Sequence, residues 1–342
     1  MPEKGSVAFL GLGHMGGPMA LNLVHAGYRV AGFDVVPEAV EAARAQGVPV
    51  AASAVDALAG AEVVLTMFPS GRHVLDAYQG SGHPGQPVAP GLLAAAPPGT
   101  MFLDCSTINV DEAREAARLA VEAGHHSVDA PVSGGVVGAQ AGTLTFMAGG
   151  DVADFEAVRP LLEVMGKRVV HCGGHGAGQA AKICNNLILG VSMIAVSEAF
   201  VLGEKLGLTD QALFDVASAA SGQCWALTTN CPVPGPVPAS PANRDYQPGF
   251  SSALMAKDLN LALNALNSTG VAGHMGALAA RIYDRFAAGG GAGRDFSAII
   301  TEIRGASEQH AGAGHGPAGE GAGTELPDRR QAITAHDDGS PE

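Results

Sequence analysis

Lys182 lies in the run Gly178-Gln179-Ala180-Ala181-Lys182-Ile183-Cys184-Asn185-Asn186, which leads into an apolar stretch at 187–196. In a helix, residues three and four apart share a face, so Lys182, Asn185 and Asn186 project together from a segment hydrophobic almost all round. Such a segment is normally buried. A buried ammonium beside two amides needs polar partners, because an unpaired buried polar group costs roughly 1–3 kcal/mol and an unpaired charge more. A substrate is one such partner, and a lysine whose pKa is lowered by burial can move a proton near neutral pH. The other reading is that the helix begins at the surface and Lys182 is solvated.

At the other end of the chain Gly11, Gly13 and Gly16 form a GxGxxG pattern around Leu12, His14 and Met15. Alone, such a pattern is weak. Here it follows Ser6-Val7-Ala8-Phe9-Leu10, which reads as a buried strand, and precedes a helical pattern at 17–24. In that context glycines permit a tight turn and close backbone approach, and the helix N-terminus receives a pyrophosphate. A second strand at 29–33 ends at Asp34, about twenty residues beyond the glycines, where dinucleotide folds place the acid that binds an adenosine ribose. A carboxylate accepts hydrogen bonds from free ribose hydroxyls and repels the extra phosphate of NADP. The following Val35, Val36 and Pro37 supply no cation, so NAD is the expected cofactor. The competing role for Asp34 is to cap a turn before a helix that starts near Pro37.

The elements that must position these groups alternate between strand-like and helix-like runs as far as His171. After the first two strands come 62–67, 101–104, 127–129, 143–147 and 169–171, with helical patterns such as 111–120 between most of them. The alternation predicts an α/β fold with a Rossmann-type, doubly wound, mainly parallel sheet, its ligands beyond the carboxyl ends of the strands. Short turns fall at those ends: Phe68-Pro69-Ser70-Gly71, Cys105-Ser106-Thr107 and Ala130-Pro131-Val132-Ser133-Gly134-Gly135. The last can offer successive backbone N–H groups to a carboxylate beside a serine hydroxyl, or is simply a turn.

From Gly178 the period changes to 3.6, predicting helices at 178–206, 209–220, 252–268, 271–288 and 295–304, with Thr209 capping the second and Asp295 opening the last. Domain boundaries follow at 1–173 for the NAD-binding domain, 174–306 for an all-helical domain and 307–342 for a Gly/Ala-rich acidic tail. The tail is too poor in large aliphatic residues to order itself. Proline-dense 231–238 reads as an ordered or semi-rigid loop, and 80–87 as a surface excursion.

Composition narrows the function classes. A chain of 342 residues can bury a large core and split into two domains. Its five cysteines are odd in number and form no CxxC pair, so neither a disulfide framework nor a metal site is expected. A net charge of −14 without a basic patch argues against nucleic acid. No apolar run of about 18 residues escapes interruption, so no membrane span is expected. The few residues before the first strand leave no room for a leader, and a cytoplasmic enzyme is expected.

These pieces, in this order, resemble the 3-hydroxyisobutyrate dehydrogenases within the wider β-hydroxyacid dehydrogenase family. The resemblance covers residues 6 to about 305 through GLGHMGGPMALNL (11–23), DCST (104–107), DAPVSGG (129–135), GAGQAAKICNN (176–186) and MAKDLNLAL (255–263). SGQCWA (221–226), NCPVPG (230–235) and DYQPGF (245–250) add to it on the substrate side. The resemblance implies reversible NAD-dependent oxidation of 3-hydroxyisobutyrate to methylmalonate semialdehyde, a step of valine breakdown, without a metal. By position it makes Lys182 the catalytic acid/base and Asn186 the group that orients it and the substrate. Ser133, Gly134 and Gly135 hold the substrate carboxylate, and Lys257 approaches substrate and nicotinamide from the helical domain.

The same resemblance puts Phe68, Pro69 and Thr107 along the cofactor groove with the glycine turn, and His73 where relatives often carry Asn. Trp225 and Phe250 become candidates for the substrate pocket, although either could equally be core. The helical domain would also pair subunits into a homodimer or homotetramer. Two rivals remain: a relative reducing tartronate or succinate semialdehyde, and a dinucleotide-binding regulator that has lost catalysis. Intact Lys182, Asn186 and Lys257 argue against the second. The 6-phosphogluconate branch is disfavoured, since the site motifs contain no phosphate clamp.

Overall fold

A computed structural model describes residues 4–80 and 90–313. The loop expected at 80–87 lies, apart from Gly80, outside the described residues, as does the tail beyond 313. The alternating half of the chain forms β1 (Lys4–Leu10), α1 (Gly16–His25), β2 (Tyr28–Phe33), α2 (Pro37–Ala45), α3 (Ala54–Ala57), β3 (Val63–Thr66), α4 (Gly71–Gln79) and α5 (Leu92–Ala95). It continues with β4 (Met101–Asp104), α6 (Val110–Glu122), β5 (His126–Asp129), β6 (Val132–Ser133), α7 (Gly135–Ala141), β7 (Leu144–Gly149), α8 (Val152–Met165) and β8 (Gly166–Gly173).

The strands form one sheet in the order β2-β1-β3-β4-β5-β7-β6, with β8 also on β7. β1 to β5 are mutually parallel, and β7 runs antiparallel to β5 and β6 but parallel to β8. Strand order reverses at β1, which opens a crevice beyond the carboxyl ends of β1 and β3. Helices cover both faces. Phe9, Leu65 and Leu103 pack with Met19, Leu23 and Leu162 on one side, while Leu10, Val64 and Phe102 pack with Val74, Tyr78 and Ala116 on the other. Strands buried on both faces read as continuous apolar runs, so their polar chemistry is confined to their ends. β6 is missing from the sequence reading because two residues carry no periodicity.

The helical half comprises α9 (Ala177–Lys205), α10 (Asp210–Ala217), α11 (Trp225–Thr228), α12 (Ser252–Thr269), α13 (His274–Phe286) and α14 (Ile299–Ala313). α9 is central, packing on α12, α13 and the sheet strand β7. A Cβ on Gly190 would lie 3.0 Å from Leu259 Cδ1, so this glycine sets the close approach of α9 to α12. Thr209 Oγ1 accepts from Ala212 N–H at 3.2 Å, capping α10 as expected. Two expectations are corrected. α9 is long and apolar enough to cross a membrane by length and composition, because its Gly and Ser interruptions lower its hydropathy too little; yet it carries buried Lys182 and Asn186 and packs on other elements of the fold. The last helix also runs past 304, so the tail placed at 307 begins as helix as far as Ala313. Residues up to Ile303 form one compact unit, and the described part of the second, from Arg304, is the end of α14.

Asp295 ties the loops of the helical half together. It is 1% exposed, and its Oδ1 accepts from Asn230 Nδ2 at 3.0 Å and from the Ser297 N–H and hydroxyl at 3.0 and 2.7 Å. Its Oδ2 accepts from the N–H groups of Gly249 and Phe250 at 3.0 and 3.2 Å. The proline segment is pinned nearby, with Ser240 Oγ donating to Cys231 O at 2.5 Å and the Tyr246 hydroxyl to Pro232 O at 2.8 Å. Asp295→Ala strands several buried donors at once and should destabilise the protein by about 3 kcal/mol or more, a fall in Tm of roughly 5–10 °C. Thermal denaturation of the variant checks this; an unchanged Tm contradicts it.

Candidate active site

The turn between β1 and α1 has the steric form a dinucleotide needs. Gly11 sits at φ +96°, and a Cβ there would lie 2.4 Å from Met67 O; a Cβ on Gly16 would lie 1.9 Å from Gly11 O. Only glycine fits at either. Around Gly13 no atom lies within 4 Å of that point, which leaves room for a pyrophosphate against the backbone. Leu12 sends its side chain into the core, Met15 is half-buried and His14 is exposed.

At the end of β2, Asp34 Oδ2 accepts from Leu12 N–H at 2.6 Å and Oδ1 from Val36 N–H at 2.9 Å. Capping the turn and binding a ribose are therefore compatible roles, since the first holds the carboxylate beside the glycine turn where the second needs it. Val35 is 84% exposed and Val36 48%, so the two positions after Asp34 present apolar side chains and no cation to a 2′-phosphate. These residues fit NAD. Beyond β3, Phe68 N–H donates to Ser106 Oγ at 2.8 Å. His73 is exposed in the first turn of α4, its Nδ1 2.7 Å from Ser70 Oγ.

Lys182 is in the second turn of α9 and only 6% exposed, which removes the solvated reading. Its Nζ stands 5.9 Å from the centre of the Phe250 ring. Burial pushes the ammonium below its ordinary pKa; Asp258 opposes that shift and Lys257 adds to it. Asn186, buried on the same helix, donates through Nδ2 to Asp258 Oδ2 at 2.5 Å and accepts at Oδ1 from Asn185 Nδ2 at 2.9 Å. Lys257 reaches across from α12: its Nζ donates to Thr107 O at 2.8 Å and Pro69 O at 3.3 Å, with Asp258 Oδ1 at 3.6 Å.

Gly134 at φ +133° and Gly135 at φ +61° turn the chain after β6. A Cβ on Gly135 would lie 2.7 Å from Gly249 O, so this turn abuts the segment that presents Phe250. Phe250 is half-buried and packs edge-on against Phe296, with ring centres 5.8 Å apart. Trp225 opens α11 and is 52% exposed, so it is not core. Contacts thus join Lys182 to Phe250, Asn186 to Asp258, and Lys257 to Pro69 and Thr107; Gly135 adjoins through Gly249, with Ser133 and Gly134 before it in the chain. Trp225 and His73 are exposed side chains. Asp258 escaped the sequence reading although it lies inside the quoted 255–263 motif. The available signal was an acid within the apolar run 254–263; the structure shows it 3% exposed.

Comparison with known proteins places both halves. Residues 6–174 match the family model described as the NAD binding domain of 6-phosphogluconate dehydrogenase. Residues 176–303 match the one described as NAD-binding of NADP-dependent 3-hydroxyisobutyrate dehydrogenase. A probable 3-hydroxyisobutyrate dehydrogenase of Mycobacterium tuberculosis is 54% identical over 299 residues, 87% of this chain and 98% of that one. The chain belongs to the 3-hydroxyisobutyrate dehydrogenase family.

Another relative, an NAD-dependent L-serine dehydrogenase of Pseudomonas aeruginosa, is 47% identical over 86% of this chain and 96% of its own. A solved structure of the Mycobacterium tuberculosis 3-hydroxyisobutyrate dehydrogenase with L-serine superposes with a TM-score of 0.82, covering 88% of this chain and 99% of that chain at 54% identity. As a 3-hydroxyisobutyrate dehydrogenase family member the protein is an oxidoreductase, and its cofactor is NAD. The second family description speaks of NADP, but Asp34 and the exposed valines after it present a charge of the wrong sign to a 2′-phosphate. Replacing Asp34 with Ser together with Val35→Arg should move preference toward NADP, read as the ratio of kcat/KM for the two cofactors. Wild-type enzyme that used NADP better would overturn the role given to Asp34.

Proposed function

We propose that this enzyme oxidises 3-hydroxyisobutyrate reversibly to methylmalonate semialdehyde, a step of valine breakdown, with Lys182 as general acid/base. The observation that carries the reading is a desolvated lysine within 5.9 Å of Phe250, on a helix whose Asn186 is anchored by Asp258. In the oxidative direction neutral Lys182 Nζ takes the hydroxyl proton as the carbinol carbon loses its hydride. NAD, when bound, supplies the acceptor for that hydride. In reverse the Lys182 ammonium polarises the aldehyde oxygen and returns the proton. Ser133 and the backbone of Gly134 and Gly135 hold the carboxylate, and Lys257 adds positive charge on the same side. Asn186, fixed by Asp258 and Asn185, presents its amide beside the substrate.

L-Serine is a second reading, favoured by the relatives that act on or hold it. It is also a β-hydroxy carboxylate and would use the same groups, but carries an α-ammonium where 3-hydroxyisobutyrate carries a methyl. Two lysines and the Phe250 ring favour the methyl. Steady-state kcat/KM tests the choice, with NAD for 3-hydroxyisobutyrate against L-serine and with NADH for methylmalonate semialdehyde against the tartronate and succinate semialdehydes; a higher value for a rival in either direction overturns it.

The proposed division assigns residues 1–173 to NAD, and 174–306 to substrate and subunit pairing. Ile188 and Leu202 on α9, exposed at 68% and 60%, support burial of that helix face in a homodimer or homotetramer. The proposed location is the cytoplasm, supported by five cysteines that are all free thiols.

Lys182→Ala should lower kcat by about 10²–10⁴ while NAD affinity changes little. Lys182→Arg should not restore it, because guanidinium stays protonated. Near-native kcat in the arginine variant would limit position 182 to an electrostatic role. Oxidation needs neutral Lys182, so kcat/KM rises with pH through its pKa. Asp258→Asn keeps an acceptor for Asn186 but removes the charge that raises that pKa, so the rise should move to lower pH. A profile that stays in place or moves to higher pH contradicts this.

A further inference from the structure

Gln179 is buried at 0% exposure on the helix of Lys182, and the reaction above makes no use of it. Its amide closes on the turn that follows β4: Nε2 donates to Ser106 O at 2.7 Å, and Oε1 accepts from Ile108 N–H at 3.1 Å. The residue between them is Thr107, whose carbonyl receives Lys257 Nζ at 2.8 Å. One side chain therefore grips both flanks of the peptide that Lys257 touches. Residues 179, 182 and 186 fall on one helix face, so the grip acts directly behind the reacting lysine.

The backbone of Gln179 is held as well. Its N–H donates to Asp129 Oδ2 at 3.0 Å and that of Gly176 to Asp129 Oδ1 at 2.7 Å, satisfying donors at the start of α9 from the end of β5. The helix start also packs closely on the sheet, since a Cβ on Gly178 would lie 2.2 Å from Met147 O. On the far side, Ser106 Oγ donates to Asp104 Oδ1 at 2.6 Å and accepts from Phe68 N–H at 2.8 Å. A continuous buried chain thus runs from the cofactor groove at Phe68 through Ser106 and Gln179 to α9.

We propose that Gln179 is a positioning residue that sets the register of Lys182 against the 106–108 turn, and through it against the nicotinamide side of the groove. The proposal rests on the reading of Lys182 as acid/base. Transfer geometry is exacting: a misplacement of about 1 Å costs on the order of 10²-fold in rate.

Two variants of the full-length enzyme test it. Gln179→Met keeps the length and loses both hydrogen bonds, so Tm should fall by a few degrees for the two groups left unpaired, while kcat measured well below Tm should fall roughly 10- to 100-fold and KM for NAD change little. Gln179→Glu keeps the acceptor for Ile108 N–H, and only its protonated carboxyl can donate to Ser106 O. Asp104 on β4, Asp129 on β5, His175 before α9, Lys182 on α9 and Lys257 on α12 are the charged or titratable groups around it. All are present in both variants, so the Glu-to-Met ratio of kcat for aldehyde reduction, followed at pH values where Lys182 stays protonated, reports the new carboxyl. Burial pushes Asp104 up to about 6 and raises Asp129 too, so a carboxyl introduced beside them should also titrate high. The ratio should therefore rise as pH falls.

A Gln179→Met kcat within twofold of wild type, a loss that vanishes once kcat is expressed per folded enzyme, or a ratio flat with pH would each overturn the proposal. If Gln179→Met does not fold, the ratio of Gln179→Glu to wild type against pH decides alone. Lys182→Ala separates the two claims. Activity retained in Lys182→Ala sinks the acid/base reading, whereas an inactive Lys182→Ala beside a normal Gln179→Met sinks only the role of Gln179.

Discussion

Taking the Lys182 ammonium out of water is the constraint on which the rest of the site depends. Desolvation favours the neutral form, and a lysine held permanently neutral could not return a proton in the reductive direction. Asp258 supplies the opposing field from α12, and its second task, accepting from Asn186 at 2.5 Å, fixes where that charge sits. Lys257, the next residue, pushes the other way. The pKa of Lys182 is thus lowered chiefly by burial and adjusted by two opposed neighbours on one helix turn, a balance that a small shift of α12 relative to α9 would disturb. Gly190 lets those two helices pack at close range, so a packing detail well along α9 bears on proton transfer at its start.

The same two helices must be held against the sheet. Parallel strands buried on both faces offer polar groups only at their ends, and those ends carry the contacts that fix the helical half: Asp129 takes the first N–H groups of α9, while Pro69 and Thr107 take Lys257 through carbonyl oxygens. Each is a charged group meeting backbone, the stronger class of hydrogen bond. Cofactor groove and lysine therefore belong to one framework.

Much of this was legible in the sequence, and the rest was not for definable reasons. Strand, glycine turn, helix and the acid at Asp34 occur within a few dozen residues and obey local rules, so both the doubly wound sheet and NAD could be read directly. The change of period at Gly178 announced the helical half. Asp258 and Gln179 lay inside recognised motifs yet received no role, because their partners are 72 and 71–73 residues away in sequence and no spacing rule reaches that far. β6 was too short to have a pattern. The end of α14 was misjudged because its Gly- and Ala-rich composition suits a tail as well as a fraying helix.

These constraints also indicate where members of the family are free to differ. The lysine, its helix and the strand ends are interlocked by buried hydrogen bonds, so altering one strands the others at about 1–3 kcal/mol per unsatisfied group. The loops around Asp295 are locked in their backbone, since that carboxylate holds Gly249 and Phe250 through N–H groups and leaves their side chains unconstrained by hydrogen bonding. A side chain such as that of Phe250 can therefore change while its Cα stays in place beside Lys182. Discrimination between an α-methyl and an α-ammonium group is best placed there, where the pocket wall can change chemistry without moving the residues that transfer the proton.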